Sequence, residues 1–345
     1  MNQSAQIKDI AVYLPNTVLT NDDLADLFPD WSSEKILEKT GISERRIASE
    51  HQTAGDMAFE AARNLFIQGK VVPKDVDFII LCTQAPDYIL PTTACLLQDR
   101  LGIPRHAGAL DINLGCSGFV YGLSLAKGLI ETGSAQCVLL LTSDTYSKYI
   151  HPLDKSVRTI FGDAAAATVI VAKDDTNPSI GPFIFGTDGG GADNLIVRSG
   201  MFRHSRNDVN NINNTDDSSN ATSFDNLYMN GAEVMSFSLT EVPRAVDNLL
   251  IKASKLKNQV DFYVFHQANK FMLEALRKKI GLQNINFPIL MNDVGNTVSS
   301  TIPITIFKMR EKGMLDSRSL LMLVGFGVGY SWAACMLDLD AQVSY

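Results

Sequence analysis

Apolar runs of strand length alternate with helix-like segments along the chain, and one order of elements occurs twice. The run VDFIILCTQA begins at Val76, and the run VDFYVFHQA begins at Val260. Each run ends in Gln-Ala and leads into a helical segment that closes on Leu-Gly or Ile-Gly. Continuous apolar strands separated by helices predict an α/β protein whose sheets are covered on both faces.

The repeat continues with a glycine-led turn in each part of the chain. Gly115-Cys116 follows the apolar ALDINL, and Gly295-Asn296 follows FPILMNDV, which stands in the place of a strand. A helical pattern and another strand come after each turn, CVLLLT in one case and LLMLVG in the other. The chain is therefore expected to consist of two duplicated halves, 1–175 and 176–345.

Two further stretches need their own interpretation. Leu320–Leu337 carries no charge and has about the length of a membrane helix. Its glycines Gly325, Gly327 and Gly329 instead favour two buried strands joined by a tight turn. Residues 203–224 are rich in Asn, Ser and Asp, which predicts a solvated excursion from the second half.

Composition and charge narrow the function classes. The 345 residues are 46% apolar and 20% charged, which is typical of a globular protein and excludes disordered and collagen-like chains. A net charge of -8 repels phosphate backbones and anionic lipid, so neither nucleic acid nor a membrane is an expected partner. The 5 cysteines form no CxxC pair, and the N-terminus lacks a secretory pattern. We therefore expect a cytoplasmic protein without a metal site, a disulfide framework or a cofactor.

Cys116 is the candidate nucleophile. It lies in Gly-Cys-Ser-Gly, immediately before the helical pattern FVYGLSLAKGLI. The free N–H groups and the dipole of a helix N-terminus favour thiolate over thiol, so the nucleophilic form is expected near neutral pH. A free cysteine is more commonly a small buried core residue. That interpretation is given to the other four, Cys82, Cys95, Cys137 and Cys335.

Two polar residues of the second half occupy comparable strand-to-helix turns. His266 follows the apolar run DFYVF, although a structural histidine is the commoner interpretation of such a residue alone. Asn296 lies in NDVGNT, which by itself is more typical of a turn with a helix cap. Because Cys116, His266 and Asn296 all stand at equivalent turns of the repeated unit, we expect them to converge at the junction of the halves.

A series of short motifs follows one order along the chain. They are Thr-Gly-Ile at 40–42 with Glu-Arg-Arg-Ile at 44–47, Gly-Cys-Ser-Gly-Phe at 115–119, Phe-Gly-Asp at 161–163, His-Gln-Ala-Asn at 266–269, Gly-Asn-Thr at 295–297 and Gly-Phe-Gly-Val-Gly-Tyr-Ser-Trp at 325–332. Each motif alone is a weak signal, but the whole series in this order is a specific indication of one protein family. Over essentially its full length the chain resembles the β-ketoacyl-acyl-carrier-protein synthase III family of thiolase-like condensing enzymes. The resemblance implies a five-layered αβαβα fold built from two duplicated halves.

The resemblance also implies a ketosynthase that performs a decarboxylative Claisen condensation, in fatty-acid initiation or in specialised acyl or polyketide biosynthesis. Cys116 would carry the acyl group, with the N–H groups of Cys116 and Val328 as the oxyanion hole. A malonyl-type thioester would lose carbon dioxide, and a neutral His266 and the Asn296 amide would donate hydrogen bonds to the enolate oxygen. The implied substrate-binding residues are Lys39, Lys155, Leu90, Gly231, Asn269, Gly327 and Gly329.

The expected partners are thioesters of coenzyme A or of an acyl carrier protein, and the carrier protein itself. Where related enzymes have a tryptophan, this chain has Lys35; Lys39 is the basic residue of the Thr-Gly-Ile motif, and Lys155 replaces a later arginine. Lysine lacks a planar stacking face, so coenzyme A is expected to bind loosely and a carrier-bound donor becomes plausible. Trp31 is displaced by four residues and is a doubtful substitute. Candidates for a basic patch that binds an acidic carrier, or alternatively for a solvated helix face, are Lys270, Arg277, Lys278 and Lys279.

The subunit arrangement rests on the resemblance. Leu90 lies in a loop that, in the family, closes the acyl pocket of the neighbouring subunit, which implies a homodimer.

Three alternatives stay open at this point: an acyltransferase of the same fold that acts on an oxygen or nitrogen acceptor without decarboxylation, a non-catalytic subunit of a heteromeric synthase, and a thiol hydrolase with a Cys116–His266 pair.

Overall fold

The computed structural model describes residues 3–174, 178–206, 214–215 and 221–339. The strands are β1 (Ser4–Tyr13), β2 (Thr17–Thr20), β3 (Glu44–Ile47), β4 (Phe78–Cys82), β5 (Gly108–Ile112), β6 (Cys137–Asp144), β7 (Ala164–Lys173), β8 (Ile180–Thr187), β9 (Leu195–Val197), β10 (Asn214–Thr215), β11 (Ala221–Thr222), β12 (Leu227–Met229), β13 (Phe262–Phe265), β14 (Leu320–Gly327) and β15 (Ser331–Asp338). The helices are α1 (Asn21–Leu27), α2 (Ser33–Thr40), α3 (Ala54–Ile67), α4 (Thr93–Arg100), α5 (Gly118–Glu131), α6 (Lys155–Arg158), α7 (Gly231–Ala253), α8 (Lys270–Ile280) and α9 (Thr301–Glu311).

Two large sheets form the centre of the fold, and their strand orders match. The first sheet runs β1-β7-β6-β4-β5, and the second runs β8-β15-β14-β13. In each sheet the strand that carries the Val-Asp-Phe tripeptide pairs in parallel with the strand after the glycine-led turn, β4 with β6 and β13 with β14. In each sheet the next two strands are antiparallel. The duplication expected from the repeat is thus present in the topology.

The aspartate of the repeated tripeptide has the same structural role in both halves. The Asp77 carboxylate accepts hydrogen bonds from the N–H groups of Gln136 (2.8 Å) and Cys137 (3.1 Å) at the start of β6. The Asp261 carboxylate accepts one from the N–H of Leu320 (2.8 Å) at the start of β14. Each carboxylate therefore joins the beginnings of two parallel strands.

The helices complete five layers, as expected. α5 and α9 lie between the two sheets, α3 and α4 cover the outer face of the first sheet, and α7 and α8 lie outside the second. α5 fits its central place because Phe119, Leu123, Ala126 and Ile130 recur at helical spacing and are fully buried. The side chains of Phe119, Leu123 and Ile130 each contribute about 1.5 to 3 kcal/mol through their removal from water.

The terminal apolar stretch forms the two strands β14 and β15, as its glycines indicated. The turn between them contains Gly329 at φ +141, a backbone conformation that suits glycine. Among the described residues, no helix has both the length and the apolar character to cross a bilayer.

The run FPILMNDV does not form the strand that the repeat predicted. A lone parallel bridge joins Phe262 to Asn286 just before it. Pro288 has no N–H to offer a ladder, and its carbonyl accepts instead from Gln267 Nε2 at 3.3 Å. The N–H of Leu290 donates to Gln267 Oε1 at 2.9 Å. The side chain of Gln267 thus replaces a neighbouring strand, which makes this prediction wrong.

Two sequence predictions concern residues that the structure leaves out in part. The division at residue 175 falls within 175–177, outside the described residues, and stays a prediction. Of the expected excursion at 203–224, residues 207–213 and 216–220 also lie outside the described part. Between them, β10 and β11 pair as a short antiparallel ribbon.

Candidate active site

Cys116, His266 and Asn296 line one cavity at the junction of the two sheets, as the repeat predicted. The cavity together with its solvent-open mouth has about 530 Å³ of empty space. Its other lining residues are apolar or small, apart from the amide of Asn269: Ile160, Phe161, Leu195, Met229, Gly231, Val234, Ala268, Met272, Phe326 and Gly327. The described lining therefore contains a thiol, an imidazole and amides, but no carboxylate, lysine or arginine.

Cys116 is held between α5 and the glycine-rich end of β14. A Cβ atom at Gly327 would lie 3.0 Å from the Cys116 Sγ, and one at Gly325 would lie 2.7 Å from the Cys116 carbonyl oxygen. Only glycine allows this close approach of the strand to the nucleophile. The approach also brings the N–H of Val328, the next residue after Gly327, within hydrogen-bonding reach of the thiol.

The expectation of a thiolate near neutral pH is wrong for the free protein. Burial raises the pKa of the Cys116 thiol to about 12, and the nearby Asp144 carboxylate adds to the rise. Hydrogen bonds from the backbone N–H groups of Cys116 and Val328 act in the opposite direction and are outweighed. A helix N-terminus cannot compensate for the loss of water around a fully enclosed sulfur. Cys116 is therefore expected to rest as the neutral thiol.

His266 lies directly after β13, with its ring edge-on to Phe326 at 5.6 Å between centroids. Its Nδ1 is 2.7 Å from the Thr301 Oγ1. Burial lowers the pKa of His266 to about 3. The imidazole is therefore neutral at physiological pH, as the sequence interpretation required, and can donate a hydrogen bond without adding charge.

The Asn296 side chain is oriented by the backbone two residues further on. Its Oδ1 accepts from the N–H of Val298 at 3.0 Å, which leaves Nδ2 facing His266 Nε2 at 3.5 Å. Val298 has φ +53, a left-handed conformation that is unusual for a β-branched residue. Such strained residues concentrate at functional sites, where the surrounding structure maintains them.

Two of the sequence motifs meet through their backbones beside the cavity. The N–H of Asn296 donates to the Ile160 carbonyl at 2.9 Å, and the N–H of Gly162 donates to the Asn296 carbonyl at 3.0 Å. A Cβ at Gly162 would lie 2.3 Å from the Val294 carbonyl oxygen, so this pairing requires glycine. The Phe-Gly-Asp motif of the first half thereby fixes the loop of the second half that carries Asn296.

Asp144 is a buried carboxylate next to the site that the sequence analysis did not single out. It accepts from the N–H of Gln84 at 2.8 Å and from both the N–H (3.3 Å) and the hydroxyl of Ser299. Burial raises its pKa to about 7, while these hydrogen bonds act to lower it. Its only sequence signal was a polar residue at the end of the apolar run CVLLLTSD.

The implied substrate-binding residues divide into two groups. Gly231, Asn269 and Gly327 line the cavity, and the Asn269 side chain also caps α8 by accepting from the N–H of Met272 at 2.8 Å. The other four implied residues, Lys39, Lys155, Leu90 and Gly329, are not part of the cavity lining.

The lysines in question lie in a charged cluster around Trp31. The ammonium groups of Lys35 and Lys39 lie 5.4 and 4.8 Å from the centre of the Trp31 ring. Lys155 Nζ is 2.7 Å from the Asp30 carboxylate. The indole ring of Trp31 therefore already has cation–π contacts with two lysines.

The remaining cysteines are buried, with one exception. Cys82, Cys137 and Cys335 lie in the core as expected, whereas Cys95 is exposed. Cys95 lies on α4, and the prediction that it is buried is wrong because it occupies the outward face of that helix.

Comparison with known proteins gives consistent matches over the whole chain. Residues 110–189 match the family model of 3-oxoacyl-[acyl-carrier-protein (ACP)] synthase III, and residues 250–339 match the model of its C-terminal part. A beta-ketoacyl-[acyl-carrier-protein] synthase III of Caldanaerobacter subterraneus subsp. tengcongensis is 34% identical over 337 residues, covering 97% of each chain.

Solved structures agree with the fold. A crystal structure of a 3-oxoacyl-(acyl-carrier-protein) synthase III is 62% identical with a TM-score of 0.96, and the match covers 97% of this chain and 99% of the other. A 3-oxoacyl-(acyl-carrier protein) synthase of Burkholderia xenovorans LB400 is 36% identical with a TM-score of 0.91, and covers 99% and 96% of the two chains.

Proposed function

The chain belongs to the 3-oxoacyl-[acyl-carrier-protein] synthase III family of thiolase-fold condensing enzymes, and from this membership we propose how its residues divide the reaction. It is a ketosynthase that joins an acyl group to a malonyl-type thioester with loss of carbon dioxide. In the proposal Cys116 carries the acyl group, and His266 and Asn296 stabilise the enolate.

The first half-reaction is thioester exchange. Cys116 attacks the donor carbonyl, the S–C bond of the donor breaks, and the thiol proton ends on the leaving thiol. The oxygen of the tetrahedral intermediate is negative, and the N–H groups of Cys116 and Val328 point at the region of the sulfur where it forms. With a resting thiol pKa of about 12, the proton leaves only as the attack proceeds.

The second half-reaction forms the carbon–carbon bond. The malonyl carboxylate leaves as carbon dioxide, and its bonding electrons form an enolate whose carbon attacks the acyl carbon on Cys116. The Cys116–acyl bond breaks, and the released thiolate takes a proton from solution. His266 Nε2–H and Asn296 Nδ2–H donate to the enolate oxygen during this step.

The observation that carries this assignment is the absence of any carboxylate from the described cavity lining. An acyltransferase that acts on an oxygen or nitrogen acceptor needs a base to take the proton of that acceptor, and His266, whose pKa burial lowers to about 3, is a poor base. The lining offers neutral donors instead, which suit an enolate generated by loss of carbon dioxide. This favours the ketosynthase over the acyltransferase, and the presence of Cys116, His266 and Asn296 in one cavity favours it over a non-catalytic subunit.

We infer a carrier-protein-bound donor in preference to coenzyme A. The ammonium groups of Lys35 and Lys39 already lie over the Trp31 ring, and Lys155 is paired with Asp30, so an adenine would compete with existing cation–π contacts for this ring. Acylation of Cys116 should be faster from the carrier thioester than from the matching coenzyme A thioester. Equal second-order rate constants from the two donors would contradict the inference.

The proposed carrier contact is the start of α8. Lys270 begins this helix next to Asn269 at the cavity and is exposed, as are Lys278 and Lys279. Arg277 is less suited, because it donates to the backbone of the following loop and lies 3.6 Å from Glu274. An acidic carrier protein would meet Lys270 first as its prosthetic arm enters the cavity.

A homodimer in the cytoplasm completes the proposal. Tyr88, Ile89 and Leu90 are 61%, 65% and 79% exposed, which is a costly arrangement for three consecutive apolar residues unless a second subunit covers them. Light scattering should give a mass of twice the single chain for the wild type, and Leu90→Glu should shift the measured mass toward that of a single chain. All 5 cysteines are free, in keeping with a reducing compartment.

Intact-protein mass spectrometry tests the nucleophile. A panel of acyl-carrier and acyl-coenzyme A thioesters should add one acyl group to the wild type and to Cys95→Ala, which removes the exposed thiol. Cys116→Ala should gain none. Stoichiometric acylation of Cys116→Ala would refute the assignment.

A further inference from the structure

Thr301 places a hydroxyl between His266 and the strained turn at Val298. It is the first residue of α9 and is 2% exposed. Its Oγ1 lies 2.7 Å from His266 Nδ1 and 3.1 Å from the Val298 carbonyl oxygen. A hydroxyl has one proton, so it can donate to only one of these two acceptors at a time.

The Val298 carbonyl does not need that proton. It already accepts a hydrogen bond from the backbone N–H of Thr301, and the His266 ring also lies within hydrogen-bonding reach of it. The distance of 2.7 Å to His266 Nδ1 also fits a hydroxyl donor, and it lies at the short limit of the range for a ring N–H donor. Both observations favour donation from the Thr301 hydroxyl to Nδ1, which leaves the ring proton on Nε2.

The other side of the imidazole supports the same arrangement. Asn296 has committed its Oδ1 to the Val298 N–H, so it presents Nδ2, a donor, toward His266 Nε2. If Nε2 were an acceptor, a hydrogen bond near 2.9 Å would be expected. The observed distance of 3.5 Å between Asn296 Nδ2 and His266 Nε2 instead suits two donors that lie side by side and can both bind one oxygen of the substrate.

We propose that Thr301 is a positioning residue that holds His266 in the tautomer with its proton on Nε2, so that the imidazole can donate to the enolate oxygen. The inference rests on the proposed function and assigns a role to a residue outside the sequence motifs. Without the hydroxyl, Nδ1 would take the proton and donate to the Val298 carbonyl. Nε2 would then accept from Asn296 Nδ2, and both enolate donors would be lost together.

Three variants separate this role from a structural one. Thr301→Val keeps the branched shape without the hydroxyl, and should lower the condensation rate of pre-acylated enzyme by at least the roughly 100- to 1,000-fold that the loss of one such donor costs. Thr301→Ser restores the hydroxyl and should recover most of the rate. Thr305→Val is the matched control, because Thr305 is equally buried on the same helix and donates only to the Thr301 carbonyl (2.8 Å). All three should still acylate Cys116.

Nitrogen-15 NMR of histidine-labelled protein reads the tautomer directly, with the signal of His266 assigned by its loss in His266→Ala. The proton should reside on Nε2 in the wild type, Thr301→Ser and Thr305→Val, and on Nδ1 in Thr301→Val. A wild-type proton on Nδ1 overturns the proposal even if no variant folds. A condensation rate within about threefold of wild type in Thr301→Val overturns it as well. Failure of the wild type itself to condense would instead contradict the proposed function.

Discussion

Truncation of Asn296 should separate the two half-reactions. Asn296→Ala removes a donor to the enolate oxygen while leaving Cys116 and its backbone N–H groups in place. Loss of one such donor costs roughly 100- to 1,000-fold in rate, or about 2.7 to 4 kcal/mol. Acylation of Cys116 does not use this amide and should stay within about threefold of wild type.

The same substitution also has a structural cost that must be measured separately. The buried N–H of Val298 loses its acceptor, Asn296 Oδ1 at 3.0 Å. A buried donor left unpaired destabilises a protein by about 1 to 3 kcal/mol. Asn292→Ala is the control, because this exposed residue of the same loop bonds Ser43 and Gly41 and does not line the cavity.

The assay follows both steps on the same samples. Intact mass reports acylation, and a malonyl thioester labelled in its free carboxylate reports release of carbon dioxide from pre-acylated enzyme. Asn292→Ala should lose stability but keep condensation, whereas Asn296→Ala should lose condensation at temperatures where it is folded. Equal condensation losses in the two variants, or parallel losses of acylation and condensation in Asn296→Ala, would refute the reasoning.

Three further predictions concern the thiol and its surroundings. The rate of Cys116 alkylation by iodoacetamide should rise about tenfold per pH unit, with no plateau up to pH of about 10, because burial raises the thiol pKa to about 12. Peptide mass mapping in a Cys95→Ala background measures this rate. A plateau near pH 7 would contradict the prediction. Asp144→Asn should speed this alkylation only above pH of about 7, where the wild-type carboxylate is ionised and raises the thiol pKa; an equal effect at pH 5 would show that charge is not the cause. Gly327→Ala places a Cβ 3.0 Å from the Cys116 Sγ and should block acylation, at a stability cost of about 1 to 3 kcal/mol. The control Gly128→Ala, whose new Cβ has open space around it, should be neutral or stabilising in thermal unfolding. Normal acylation of Gly327→Ala would contradict the close contact.

The convergence of the polar residues was predictable because a duplicated strand order carries its turns to equivalent places. Asp77 and Asp261 occupy matching positions in the two sheets, so the turns that follow their strands face the same junction. The resemblance then supplied the chemistry for Cys116, His266 and Asn296. Periodicity alone left each of them with a commoner structural interpretation.

Features that depend on packing between distant parts of the chain could not be predicted from the sequence. The thiol pKa depends on enclosure and on Asp144, and neither follows from a position at a helix N-terminus. The apolar run around Pro288 has the pattern of a strand, and the sequence carries no local sign that the side chain of Gln267 forms the hydrogen bonds of a neighbouring strand there. Thr301 is 35 residues from His266, so only the folded chain brings its hydroxyl to the imidazole.

A single-turnover experiment tests the central claim that one cavity performs both half-reactions. Wild-type enzyme would be acylated on Cys116, freed of donor and mixed with the labelled malonyl thioester, with intact mass and released carbon dioxide followed in time. The account predicts that loss of the acyl mass, release of one equivalent of carbon dioxide and formation of one equivalent of β-ketoacyl thioester share one rate constant. Loss of the acyl group to water or to another acceptor without release of carbon dioxide would contradict it.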